Sequence, residues 1–171
     1  MKYVYNLILR ILLCFVPLGL FYVIFTPLTL YGVYLLLYGY NPIILGNGFI
    51  IKNQIFNLIE ACIAGSAYYF LWFLMLFSKD IKIIKRIKIV LLGFALIYIM
   101  NIFRIALLVF ISMNYGSNLF EAVHMIFWKF LVGVYVALVW IFLVYIFKIK
   151  SMPIYSDLKE LYNKSLFKKR K

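Results

Sequence analysis

Long apolar runs, interrupted by basic blocks, constrain this chain more than any other feature. Residues 55–77, 89–111 and 120–147 are each long enough to cross a hydrocarbon core, which needs about 20 apolar residues. The whole chain is 67% hydrophobic and only 13% charged, and its mean hydropathy is +1.04. Because a soluble domain of 171 residues cannot bury that much apolar surface, the composition predicts an integral membrane protein.

The basic residues predict the orientation of these runs. The chain carries a net charge of +13, concentrated in residues 79–88 and 148–171 beside apolar runs. Lysine and arginine accumulate on the cytoplasmic side of membranes and contact anionic headgroups there, so this charge predicts topology and no nucleic-acid partner. Residues 41–54 and the polar turn 112–118 are then expected to face the outside.

The first forty residues leave the number of spans open. Residues 7–25 can cross the membrane, whereas residues 28–45 are barely long enough. One crossing would place the N-terminus inside and two would place it outside. We therefore predict an all-α, polytopic, multi-pass protein of the plasma membrane with about 5–6 transmembrane helices. Residues 1–150 would form the transmembrane domain, and residues 151–171 a basic cytoplasmic tail.

Three reactive or charged residues are predicted at one depth. Cys62 lies seven residues into its apolar run, Arg104 lies seven residues before the end of the next run, and His124 lies four residues into the last. At 1.5 Å per residue, all three lie about 6–10 Å below the outer face. An arginine at that depth costs a few kcal/mol unless it faces a polar cavity. We expect the three side chains to line one cavity that opens outward.

Neighbouring polar residues extend this group. Asn101 lies three residues before Arg104, and Glu121 lies three residues before His124, so each pair shares a helix face. The two pairs predict that Asn101 and Glu121 support the site.

Small residues follow the thiol. Gly65 and Ser66 come three and four residues after Cys62, on its face, and are expected to leave room for a substrate backbone. Glu60 lies two positions before Cys62, so in a regular helix it points to nearly the opposite side.

The residue types favour acyl transfer. A thiolate attacks an amide carbonyl, an imidazole exchanges the proton with the leaving amine, and a guanidinium stabilises the oxyanion and lowers the pKa of the thiol. One histidine and five acidic residues supply few ligands for a metal centre, so neither a metal nor another cofactor is expected. The second cysteine, Cys14, lies in a separate apolar run and is interpreted as a packing residue.

The motifs resemble those of the exosortase/archaeosortase family of membrane sorting transpeptidases. The resemblance is carried by EAC at residues 60–62, by NIFRI at residues 101–105 and by the isolated His124, in that order. The stretch GNGFIIKNQIFNLIEAC, residues 46–62, also resembles the segment that leads into the cysteine helix of that family. The match covers roughly residues 28–147.

The resemblance implies roles for these residues. Cys62 would be the nucleophile, Arg104 the electrostatic stabiliser and His124 the proton-transfer residue, and Glu60 would shape or polarise the site. The implied substrates are exported proteins with a C-terminal sorting signal, which consists of a short motif, a transmembrane helix and a basic cluster. Cleavage would occur at the outer face through a thioester, with a membrane lipid or another amine as a candidate acceptor.

Two alternatives stay open from the sequence. The chain could be a non-catalytic small membrane subunit or a transporter-like protein, in which Arg104 forms a structural ion pair with Glu60. It could also be an intramembrane cysteine protease that uses water as the acceptor and releases a free carboxylate.

Overall fold

The computed structural model describes residues 2–78, 81–127, 129, 132–149, 153, 155 and 162. The elements in chain order are α1 (Lys2–Cys14), α2 (Leu18–Leu36), a 3-10 turn (Tyr38–Tyr40), β1 (Ile43–Leu45), β2 (Gly48–Ile51), β3 (Gln54–Asn57), α3 (Glu60–Ile63), α4 (Gly65–Leu76), α5 (Ile83–Tyr115), α6 (Ser117–Ile126) and α7 (Val132–Ile146). The predicted basic tail, residues 151–171, lies outside the described residues except at three positions.

The prediction of 5–6 transmembrane helices is wrong. Within the described part of the chain, two helices, α2 and α5, are long and apolar enough to cross a membrane by length and composition. The apolar helices α1, α4 and α7 are shorter. The all-α prediction is correct only in part, because the chain also forms a three-stranded antiparallel sheet.

The predicted span 55–77 is divided among three elements. Its first residues belong to β3, the next form the four-residue helix α3, and the rest form α4. The break between the two helices lies at Ala64, whose φ of 57° is left-handed. That conformation costs a residue with a Cβ about 1–2 kcal/mol, so contacts from elsewhere must hold it. The 12 residues of α4 extend over about 18 Å, less than a hydrocarbon core.

The other predicted spans also differ from the observed helices. Residues 120–147 are divided between α6 and α7, and residues 7–25 are divided between α1 and α2, where Pro17 precedes the second helix. Residues 28–45 include the end of α2, the 3-10 turn and β1. Residues 89–111 do lie in one helix, α5. Its 33 residues also include residues 83–88 of the basic block and residues 112–115 of the predicted polar turn.

The sheet is a meander in the order β1-β2-β3 with two-residue turns. The φ angles are positive at Gly46 in the first turn and at Lys52 and Asn53 in the second, as tight hairpin turns require. Phe49 and Ile51 of β2 are buried against the helices. The sheet therefore packs on the helical body and leads directly into α3.

Aromatic rings and one glycine join the helices of the core. Phe25 of α2 stacks on Tyr68 of α4 at 3.6 Å between ring centroids, and Phe94 of α5 meets both rings edge-on. A Cβ on Gly93 of α5 would collide with Leu71 of α4. The absence of a side chain at Gly93 therefore lets α4 and α5 approach closely.

The outer surfaces of the helices are apolar. Exposed large apolar side chains include, on α5, Ile83, Ile84, Ile87, Leu91, Ile99, Phe103 and Leu107, and, on α7, Val134, Leu138, Ile141, Phe142 and Tyr145. Soluble monomers rarely expose contiguous apolar patches above a few hundred Å². These surfaces therefore require an apolar environment or a partner.

Candidate active site

Cys62 lies on the short helix α3, between the sheet and α4. Its backbone N–H donates to the carbonyl of Ile59 at 2.8 Å, which closes the single turn of this helix. Because the chain turns left-handed at Ala64, the last carbonyls of α3 cannot continue the helical ladder into α4. The backbone around the half-buried thiol therefore needs hydrogen-bond donors from another element.

Arg104 and Asn101 of α5 supply those donors. Nη2 of Arg104 donates to the carbonyl oxygens of Ala61 at 2.9 Å and Cys62 at 3.1 Å. Nδ2 of Asn101 donates to the same Cys62 oxygen at 2.8 Å. Both side chains are buried, and residues three apart lie on one helix face. The cysteine segment and the N-x-x-R segment are thus joined directly, through backbone carbonyls.

The guanidinium of Arg104 retains unused donors. Its Nε is buried and has no hydrogen-bond partner, and the hydrogen bonds that the described residues form with Arg104 all use Nη2. Nor does Arg104 form a salt bridge with any carboxylate in the part of the chain that the structure describes, so the expected ion pair with Glu60 is not found there. Arg104 and Asn101 also line a small cavity of about 30 Å³ between α4, α5 and α7.

His124 lies on α6, across a cleft from the cysteine helix. This cleft has a volume of about 630 Å³. The half-buried His124 and the exposed Glu121 lie on one side of it, with Ile59 and Ala61 on the other. The His124 ring contacts Phe120 edge-on at 5.6 Å between centroids. The imidazole and the residue that precedes Cys62 thus line the same cleft from opposite sides.

The expectation that the three side chains line one cavity differs from the structure. His124 lines the cleft, Arg104 lines the small interior cavity, and Cys62 lines neither. No hydrogen bond between the Cys62 thiol and the His124 ring is found among the described residues. Arg104 instead donates to the backbone carbonyls of the cysteine turn.

Burial shifts the pKa values of both reactive groups in the direction that favours their neutral forms. Burial raises the pKa of the Cys62 thiol above its usual value, although a backbone hydrogen bond at Ile59 and the charge of Arg104 act against this. Burial lowers the pKa of His124 below 6.5, and the Arg104 charge lowers it further. The resting pair is therefore a neutral thiol and a neutral imidazole, so reaction requires proton transfer from sulfur to nitrogen.

The supporting residues have different surroundings. A Cβ on Gly65 would meet Cε1 and Cζ of Tyr22 at 2.5 and 2.7 Å, so the absence of a side chain at Gly65 lets the start of α4 pack against α2. The expected role of Gly65 in leaving room for a substrate stays a prediction. Ser66 and Glu60 are exposed, and neither lines a described cavity. Two further residues of the site could not be found from the sequence. Ala61 contributes its backbone carbonyl, which accepts a hydrogen bond from Arg104, and Tyr22 contributes a ring that packs on Gly65. Neither a backbone acceptor nor a packing contact between distant segments has a sequence pattern.

Cys14 lies apart from this group. It is the last residue of α1, and its carbonyl accepts a hydrogen bond from the Tyr69 hydroxyl at 2.8 Å. Its half-buried thiol packs against the hydrophobic core, which makes it a matched control for Cys62.

The chain was compared with known proteins by sequence and by fold. No protein-family model, no curated protein and no solved structure matches it.

Proposed function

We propose that this protein is a membrane cysteine protease or transpeptidase that cleaves C-terminal sorting signals of exported proteins through a Cys62 thioester. The observation that carries the proposal is the pair of hydrogen bonds from Arg104 to the carbonyls of Ala61 and Cys62. They bring a buried cation to the backbone of a thiol-bearing turn. Beside that turn lies an open cleft with the imidazole of His124.

The membrane part of the proposal is supported by the helix surfaces. The exposed apolar side chains of α5 and α7 are those that lipid would cover, and α2 and α5 have the length and composition of spanning helices. Lys82, Lys85 and Lys88 lie at the N-terminal end of α5, which favours a cytoplasmic location for that end. The cysteine turn contacts the other half of α5, so the cleft is proposed to face the outside of the plasma membrane.

The proposed reaction proceeds by acyl transfer. The His124 imidazole accepts the thiol proton while the Cys62 sulfur attacks the carbonyl carbon of the scissile amide, and the carbonyl oxygen becomes an oxyanion. The charge of Arg104 stabilises that oxyanion. The amide C–N bond then breaks, the imidazolium returns its proton to the leaving amine, and the acyl group remains on sulfur as a thioester. A lipid amine, another amine or water accepts the acyl group and frees the thiol.

His124 must approach the thiol when substrate binds. Catalytic hydrogen bonds are often long or poorly aligned in the free enzyme and tighten in the complex. The cleft between α6 and the cysteine turn leaves room for that movement.

A trapped thioester tests the proposal. The reporter is an exported protein whose C-terminus carries the tripartite sorting tail of a co-encoded protein. On mixing with reporter, we expect a covalent adduct at Cys62 that hydroxylamine releases, because hydroxylamine cleaves thioesters. Cys14→Ala should retain the adduct. An adduct that resists hydroxylamine, or that forms equally in Cys62→Ala, would contradict the thioester.

A second candidate function, that of a non-catalytic membrane subunit, is supported by the same hydrogen bonds from Arg104. Arg104 caps the carbonyls of a broken helix, which is a purely structural task and needs no reactive thiol. The chain would then be a non-catalytic membrane subunit whose fold depends on Arg104. Under this candidate, replacement of Cys62 is harmless.

Replacement of Arg104 should destabilise the protein under both candidates. Arg104→Ala leaves the Ala61 carbonyl without its donor, whereas Asn101 still serves Cys62. Ala61 is half-buried and lines the cleft, so the loss should lie at the lower end of the about 1–3 kcal/mol that an unsatisfied buried acceptor costs. Thermal unfolding in detergent should show a lower Tm. The exposed Lys129 is the control, because Lys129→Ala removes a cation without removing a described hydrogen bond. Equal Tm values would mean that the capping bonds contribute nothing to stability.

A further inference from the structure

The strand β3 has an unpaired edge. In the sheet order β1-β2-β3 it pairs with β2 alone, with Ile50 opposite Ile55 and Ile51 opposite Gln54. The two residues that flank a two-residue hairpin turn form a hydrogen-bonded pair, in which each donates its N–H to the other's carbonyl. Along the two strands, such pairs alternate with pairs whose backbone groups point away from each other. Gln54 therefore points its backbone groups at β2, and Ile55 points its own away.

The alternation continues toward the cysteine turn. Asn57 also points its N–H and C=O outward, whereas the N–H of Leu58 donates inward to the Asn47 carbonyl at 3.1 Å. None of the outward groups of Ile55 and Asn57 has a backbone partner among the described residues. Gln54, Ile55 and Asn57 are exposed, and the strand contains neither a charge nor a proline that would protect its edge.

The edge leads directly to the candidate active site. Two residues, Leu58 and Ile59, join β3 to the helix that carries Cys62. Ile59 and Ala61 line the cleft opposite His124. A strand paired with β3 would lie about 4.8 Å from it, and its continuation past Asn57 would follow the chain toward the residues that line this cleft.

We propose that β3 binds the substrate as an added strand, and that the ligand is an extended peptide segment immediately ahead of the membrane helix of the sorting signal. This inference rests on the proposed function and specifies how that site takes its substrate. Edge pairing supplies affinity through backbone hydrogen bonds and tolerates varied side chains, and it presents an extended amide to the thiol.

Proline substitution tests the outward N–H. Ile55→Pro removes that donor without removing a bond to β2, because proline is tolerated at outward edge positions. With the tripartite reporter, we expect kcat/KM to fall about tenfold, mainly through KM, the size expected when one well-placed hydrogen bond and its neighbours are lost.

Two control variants isolate the backbone effect. Ile55→Ala keeps the N–H and removes the exposed side chain. Ile44→Pro removes an outward N–H from β1, on the opposite edge of the sheet. Leu45 and Gly48 flank the first turn and form a hydrogen-bonded pair, so the next residue, Ile44, points its N–H away from β2. Ile44→Pro should remain within about twofold of wild type, and Ile55→Ala, which reports the contribution of the side chain alone, should cleave the reporter faster than Ile55→Pro. If Ile55→Pro cleaves the reporter as fast as Ile55→Ala does, while wild type depends on Cys62, edge binding is wrong and the proposed function stands.

Cross-linking decides the matter if Ile55→Pro does not accumulate or if the reporter is not cleaved. Ile55→Cys is placed in a protein that also carries Cys14→Ala and Cys62→Ala, and single cysteines are scanned along the reporter segment. An added strand predicts disulfides at every second reporter position, because successive side chains of a strand alternate between faces. Uniform cross-linking or none would overturn the inference, without reference to catalysis.

Discussion

Cys62→Ala is expected to abolish cleavage of the tripartite reporter while the protein still accumulates in the membrane. The thioester route has no alternative nucleophile at this turn, because Ala61 and Ile63 flank the thiol and the neighbouring Ser66 is exposed on α4. The substitution removes one sulfur atom from a half-buried position and leaves the carbonyl bonds of Arg104 in place. Cleavage is measured by the mobility of the reporter at matched expression.

Cys14→Ala is the matched control for this prediction. It removes the same atom from a half-buried position on α1, away from the cleft, and should leave cleavage unchanged. If Cys62→Ala cleaves the reporter at the wild-type rate, the thioester mechanism is wrong. The non-catalytic candidate, in which Arg104 caps a broken helix, would then account for the geometry of the site without chemistry.

His124→Ala should lower the cleavage rate about 10²–10⁴-fold, the usual contribution of a positioned acid-base group. The same residue should set the acidic side of the pH profile. Burial and Arg104 lower the pKa of His124 below 6.5, so the imidazole is neutral and able to accept a proton at neutral pH. The wild-type rate should therefore fall only as the pH drops through that lowered pKa, where the imidazolium forms.

Glu121→Gln provides the comparison for His124. Glu121 lines the same cleft on the same helix, so its replacement perturbs the surroundings but keeps the imidazole. Single-turnover cleavage rates are measured across pH. The fall in rate at acidic pH should remain in Glu121→Gln and should be absent in His124→Ala. An unchanged fall in rate in His124→Ala would show that another group transfers the proton.

Part of the fold could be predicted from residue patterns. The apolar runs indicated helices, and residues 89–111 do lie within α5. The sheet was missed although its signals are present, since Gly46 and the Lys52–Asn53 pair sit between alternating residues in the manner of two-residue hairpins. Apolar strand residues such as Ile55 and Phe56 satisfy the same hydropathy criterion as a membrane helix, which is why the predicted span 55–77 begins within β3.

The division of the predicted span 55–77 depended on a break at a residue that favours helices. Ala64 is an ordinary helix former, yet it adopts a left-handed conformation that ends α3. That conformation is held by donors from α5, more than 35 residues away along the chain. A pattern read along one segment therefore predicted a continuous helix where the folded chain has two.

The sequence by itself determined which residues are able to react and how some of them are spaced. It placed one thiol, one imidazole and one deep guanidinium in separate apolar segments, with Asn101 on the face of Arg104. Only the tertiary structure decided what these groups contact. Arg104 reaches backbone carbonyls and no described carboxylate, and His124 faces a cleft that Cys62 does not line. The physical reason is that a broken turn exposes carbonyl oxygens that need donors, and that need appears only when separate segments pack together.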